Sequence, residues 1–222
     1  MRKSSWLEYA IACGILGPIL YTVEALVNGF LQPGYSFFAD HISELAQFPH
    51  GWIQSSTFIV FGLMEIIFAG GLLIRTYRRN VAGIISFSFL ILFGLGAIAA
   101  GIFPEPTRGL GIHGIVSSVA FTAIILAMLT TAIHWRQLHI GKLYSRYTAI
   151  SCILAVVSFL VWTVVVEPKQ GLAINDSLRI HSQFGHWIGL AQRINVAVWL
   201  LWLFVSALVV RKLTTPKKRA LH

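Results

Sequence analysis

The sequence predicts an all-α, polytopic membrane protein, one domain over residues 1–222 built from six transmembrane helices. Three observations carry that prediction. Six apolar runs fill most of the 222 residues, each about 20 residues or longer, the length at which a helix crosses a bilayer. Hydrophobic residues make up 56% of the chain and charged residues 11%, which excludes an ordinary soluble domain. The polar gaps between the runs also alternate in charge, as loops on opposite sides of a membrane do.

The first span, 9–31, follows Met1-Arg2-Lys3 and resembles the start of a secretory signal. It is too long for one, holds Glu24 and lacks a small-x-small cleavage site, so it is expected to stay as its own insertion signal. Pro18 is expected to kink it. The first outer segment, 32–53, opens on the turn signal Pro33-Gly34. Its residues 38–48 place Phe38, Ile42, Leu45 and Phe48 at helical spacing, with Asp40, Ser43, Glu44 and Gln47 between. That pattern predicts a short amphipathic helix lying in the interface, with Asp40–Ser43 and His41–Glu44 sharing faces.

Spans two and three, 54–74 and 81–103, carry small residues (Gly70 and Gly71; Gly94, Gly96, Ala97, Ala99, Ala100, Gly101) that permit close helix approach. Span three is on that ground expected at the centre of the bundle. The fourth, fifth and sixth spans are 113–135, 147–166 and 187–210. Trp52, Trp135 and Trp187 fall at span boundaries, where aromatic belts form. Cys13 and Cys152 read as small apolar fillers near the termini side of their spans, with no disulfide framework.

Of the 17 basic residues, only Arg108, Lys169, Arg179 and Arg193 fall on the side opposite the termini. Retention of Lys and Arg in cytoplasmic loops therefore predicts that both termini are cytoplasmic, in a plasma (inner) membrane. The net charge of +9 is then chiefly topology, with a basic tail suited to anionic headgroups. The basic residues are scattered over four segments without interleaved aromatics, so no nucleic-acid partner is expected; the bilayer is the partner the composition names.

Chemistry-bearing residues collect toward the outer side. Glu24 and Arg193 both lie about 9 Å below the outer surface by helical rise, and Glu65 about 16 Å in. Charges at such depth need a partner or water. Glu24 and Arg193 are expected to pair on the floor of an outward pocket lined by Asn28, Ser117, Ser118, Thr163 and Asn195, to form a structural ion pair locking spans one and six, or to snorkel to the outer interface. Glu65 has no basic residue at its depth and is expected to be neutral, as a proton carrier or a hydrogen-bond bridge between helices. His113 opens span four beside Asp40, His41, Ser43, Glu44, Glu105, His181 and His186, the inventory of an acid–base pair or a metal site, although no metal-ligand set can be assigned and no cofactor is named.

Three matches are set aside. Gly109, Gly111 and Gly114 fit a dinucleotide fingerprint with no strand before it. Asn175-Asp176-Ser177 fits a glycosylation pattern common by chance. His113 and His134 sit on one helix about 31 Å apart, which argues against a membrane haem.

Gly17-Pro18, Gln32-Pro33-Gly34-Tyr35-Ser36, Ile42-Ser43-Glu44-Leu45, Gly51-Trp52-Ile53-Gln54, Phe61-Gly62-Leu63, Gly101-Ile102-Phe103-Pro104, His113-Gly114 and Gly189-Leu190-Ala191-Gln192-Arg193 occur in the order of a known family. Over about residues 10–212 the chain resembles the membrane proteins grouped as domain of unknown function 998, and more distantly the Frag1/DRAM/Sfk1 group. It departs where members usually carry an aspartate after Phe-Pro; Glu105 stands nearest that place. The resemblance implies six spans and draws attention to Ser43, Glu44, Glu105, His113 and Arg193, without implying an activity.

The expected function is binding of a lipid or small amphiphile in an outward polar pocket. Glu24, Arg193, Asn28 and Asn195 would hold the ligand. Two alternatives stand beside it: a membrane-embedded lipid hydrolase or transferase with His113 as base and Ser43, Glu44 and Glu105 around it, and a proton-coupled transporter using Glu24 and Glu65.

Overall fold

A computed structural model describes residues 3–76, 80–104, 111–137, 141–166 and 185–214. It contains six long helices: α1 (Lys3–Leu31), α2 (Gly51–Arg75), α3 (Val81–Ile102), α4 (Ile112–Gln137), α5 (Lys142–Leu160) and α6 (Ile188–Thr214). All six are long and apolar enough to cross a membrane, and the chain is an integral membrane protein. The expected spans fall on these helices, usually one turn short at one end. α1 runs unbroken through Pro18. Asn80 starts α3 by accepting the Gly83 N–H on its side-chain oxygen at 2.8 Å.

Each helix packs on its neighbours in sequence, and α6 returns to close on α1. The α1–α2, α3–α4 and α5–α6 connections therefore share one end of the bundle, called the distal end here, opposite the termini. The middle is filled by rings rather than by a helix. Trp199 of α6 reaches Tyr21, Phe61, Phe93 and Phe121 on four other helices, with centroid separations of 5.2–6.3 Å.

The most buried of the six helices is α6, which carries Trp199, and not span three, which the small residues placed at the centre. Those residues do something more local. Gly62 and Gly94 let α2 and α3 touch: a methyl at Gly62 would lie 2.4 Å from the Gly94 carbonyl. Polar bonds lock other seams. Ser86 of α3 bonds Thr131 and the Ala127 carbonyl of α4, and Trp202 of α6 donates to Thr148 of α5 at 3.2 Å.

Residues 38–48 do not form the expected surface helix. A short 3₁₀ segment covers Ser43–Gln47, and Ile42 and Leu45 are buried in the mouth of the bundle. Side chains divert the backbone from a longer helix. Asp40 accepts the Ser36 N–H at 2.7 Å, and Glu44 reaches back to the His41 N–H at 2.9 Å, tying the 3₁₀ turn to the chain just before it. Asp40 is therefore committed to Ser36, while His41 and Glu44 do meet.

Trp52 and Trp187 are exposed near the distal end, but Trp135 is 2% exposed, packed on Tyr144 rather than placed in a belt. Cys152 is buried and directs its thiol to the Ile125 carbonyl at 3.6 Å; Cys13 is half-buried, and both are free thiols.

Candidate functional site

The first connection is sewn to the start of α6. Gln192 accepts the Ile42 N–H at 2.7 Å, Arg193 donates through Nη1 to the Asp40 carbonyl at 2.8 Å, and the Leu190 N–H donates to the Phe38 carbonyl at 3.1 Å. Gly189 makes this close approach possible, since a methyl there would fall 2.3 Å from the Asp40 carbonyl oxygen. Arg193 Nη2 donates to the Tyr35 hydroxyl, which in turn donates to the His41 carbonyl at 3.0 Å. The guanidinium also lies over the Tyr35 and Phe37 rings, 5.4 and 5.2 Å from their centroids. Burial pushes the Tyr35 hydroxyl up to about 12 even with that cation beside it.

Glu24 and Arg193 do not form the expected pair. Among the described residues no carboxylate lies within ion-pair distance of Arg193. Glu24 faces α2 instead and accepts from Asn28 at 3.0 Å; Asn28 accepts from Gln32 at 2.7 Å. The two side chains leave their helices in different directions, Glu24 toward the α1–α2 cleft and Arg193 toward the α1–α6 groove. Asn195 also turns away from any shared pocket, giving its amide to the Ala155 carbonyl and Ser158 hydroxyl of α5, each at 2.9 Å. Glu65 is fully buried and both its oxygens lack a hydrogen-bond partner, so the expected bridge between helices is not made.

The single pocket drawn from the sequence is resolved into three spaces. An apolar groove of about 450 Å³ runs between α1 and α6, from Pro18 and Phe204 up to Phe37 and Arg193. A polar cavity of about 150 Å³ lies behind it, lined by His41, Ser43, His113, Ser117, Ser118, Thr163 and Gln192. Tyr21, Ile42 and Val196 border both. A cleft of about 260 Å³ between α1 and α2 holds Glu24.

In the polar cavity His113 is 5% exposed and its Nδ1 sits 2.8 Å from the Phe103 carbonyl and 3.2 Å from that of Ala100. Both partners are acceptors, so Nδ1 carries a proton, and in the neutral ring Nε2 is the lone-pair acceptor. Of the two carboxylates expected around His113, Glu44 is beside His41 instead, its Oε1 3.6 Å from His41 Nδ1. Burial pushes the Glu44 carboxyl up, but the hydrogen bonds and charge of His41, with Arg193 beyond, outweigh it and hold Glu44 below its ordinary value.

Ser118 returns its hydroxyl to the Gly114 carbonyl at 2.7 Å; Ser117, one turn from His113, bonds no described residue. A π-helical stretch, Val161–Val166, continues α5 and brings Trp162 and Thr163 to the cavity wall.

Glu105, Arg108, Asn175, Asp176, Arg179 and His181 lie outside the described residues. His186 is exposed, its ring tilted against that of Trp187 with centroids 5.2 Å apart. Among the described residues no three metal-ligating side chains gather. Sequence reasoning missed Tyr35 and Gln192 as site residues, whereas His41 was among the residues expected near His113. Gln192 had a visible signal, an amide and a guanidinium entering a span side by side.

A family model described as "Protein of unknown function (DUF998)" matches residues 15–209. Comparisons with curated proteins and with solved structures return no match.

Proposed function

We propose, for a chain that belongs to the DUF998 family, that the distal end binds an anionic lipid or amphiphile, with its tail in the α1–α6 groove and its head at Arg193. One observation carries this reading: an apolar groove of about 450 Å³ ends at a guanidinium with no carboxylate partner among the described residues. The volume is within the roughly 300–1,000 Å³ of small-molecule sites. The bonds to Tyr35 and the Asp40 carbonyl fix the guanidinium without neutralising it, so its charge stays available to a phosphate or carboxylate. The distal end would face the non-cytoplasmic side of a plasma (inner) membrane, because 13 of the 17 basic residues fall with the termini.

The test is native mass spectrometry of the detergent-solubilised protein with phosphatidylglycerol and phosphatidylcholine. Preferential retention of phosphatidylglycerol is expected, lost in Arg193→Gln and in Ala197→Phe, which narrows the groove. Equal retention of the two lipids would reject the reading.

A second reading has its own support. His113 Nε2 is a lone-pair acceptor in a cavity with Ser43 and Ser117, adjoining a groove suited to lipid. There His113 is the base of a lipid hydrolase or transferase, and His41 with Glu44 supplies a second imidazole. His113→Ala should then abolish lipid turnover while folded protein is recovered; unchanged turnover removes His113 from the reaction. The transporter alternative has less support, because beyond Glu65 the buried face of α2 continues as Phe68, Ala69 and Leu72.

A further inference from the structure

The cleft between α1 and α2 lies on the side of α1 away from the Arg193 groove, and its chemistry is the opposite. It is walled by Tyr21, Trp52 and Phe61, with Ser56 and Thr57 on α2 and Glu24 on α1. Glu24 is held in place by its acceptance from Asn28, which Gln32 fixes in turn. Its second oxygen, Oε2, is sealed from solvent and bonds no described residue. Gly17 forms the cleft floor, and behind it stands Glu65, whose Oε1 would lie 3.1 Å from a methyl at Gly17. Glu65 is 0% exposed, with both oxygens unpartnered. Gly17 and Glu24 are two turns apart, about 10 Å, so one carboxyl, Glu24, lines this cleft while the second, Glu65, is sealed behind its floor.

A buried carboxyl without a donor is costly in hydrocarbon, and such groups mark pathways and sites. No basic side chain lies within ion-pair distance of Glu24 or Glu65 among the described residues. The missing partner is therefore a donor or a positive charge brought from outside. A hard metal ion is a poor match, because it wants six or more oxygens and the walls here are apolar. An organic cation fits both features: its charge meets Glu24, and its substituents meet the aromatic faces of Tyr21 and Trp52.

We infer that the α1–α2 cleft is a second binding site, independent of the anionic-lipid reading, for a lipid-soluble organic cation that docks on Glu24. The experiment is equilibrium binding of radiolabelled tetraphenylphosphonium to the full chain in phosphatidylcholine nanodiscs, where lipid charge contributes little adsorption. Saturable binding is expected, weakened on the order of tenfold or more by Glu24→Gln.

Thr57→Trp, which fills the cleft and leaves the carboxyl in place, is expected to block binding as well. It keeps the test decisive if Glu24→Gln is recovered unfolded. A photoreactive quaternary ammonium should label α1 and α2. Absence of saturable binding, wild-type affinity in both folded variants, or labelling confined to other helices would overturn the inference.

Discussion

Gly189 shows how much one side chain decides here. The first connection approaches α6 so closely that a methyl would fall 2.3 Å from the Asp40 carbonyl oxygen. Gly189→Ala is expected to cost about 1–3 kcal/mol through backbone displacement, read as a lower thermal midpoint in detergent. Glu44 gives a pH prediction from the same segment. Its folded value is held below 4.5, so its contribution is complete above that value and is lost as pH falls through the lower, folded one. Acid unfolding of the wild type should therefore show a component in that range that Glu44→Gln lacks; identical acid limbs would remove His41–Glu44 from the stability of the mouth. At this scale the sequence revealed the kinds of residue and their order along each helix. Rise per residue fixes height along a helix. It does not fix the direction around the bundle, which is why counting residues along the helices pairs Glu24 with Arg193 and the structure does not.

Among the elements, α6 departs most from expectation. Small residues made α3 look central, yet they report only that two backbones touch, as at Gly62 and Gly94. Centrality belongs to the helix whose large side chain reaches the others, and Trp199 is 3% exposed among rings from four helices. Trp199→Ala should cost about 3–5 kcal/mol, measured by thermal or chaotrope unfolding in detergent, whereas Trp52→Ala at the exposed rim should cost far less. The segment 38–48 was misread for a related reason. Apolar spacing alone cannot separate a helix from a compact turn whose side chains cap their own backbone, as Ser36, Asp40 and Glu44 do.

For the molecule as a whole, the six helices and their order were legible from the apolar runs because length and composition alone set them. The partition of one imagined pocket into a groove, a cavity and a cleft was not legible. It depends on how side chains from positions as distant as Tyr21, Ile42 and Val196 meet in a common wall. The topology is directly testable. His50→Cys and His186→Cys, both exposed at the distal end, should react with a membrane-impermeant maleimide added to intact cells, while a fluorescent protein fused after residue 222 should fold and fluoresce in the cytoplasm. Labelling only after permeabilisation would invert the orientation.

Closure of α6 on α1 has a bearing on biogenesis. As the ribosome delivers these helices in order, α1 through α5 enter the bilayer before the helix that fills their centre and docks Gln192 and Arg193 on the first connection. α1 keeps one flank uncovered until α6 arrives. Any factor that shields nascent chains in the lipid phase would find its substrate along Pro18, Thr22 and Ala25, the strip of α1 that later borders the groove.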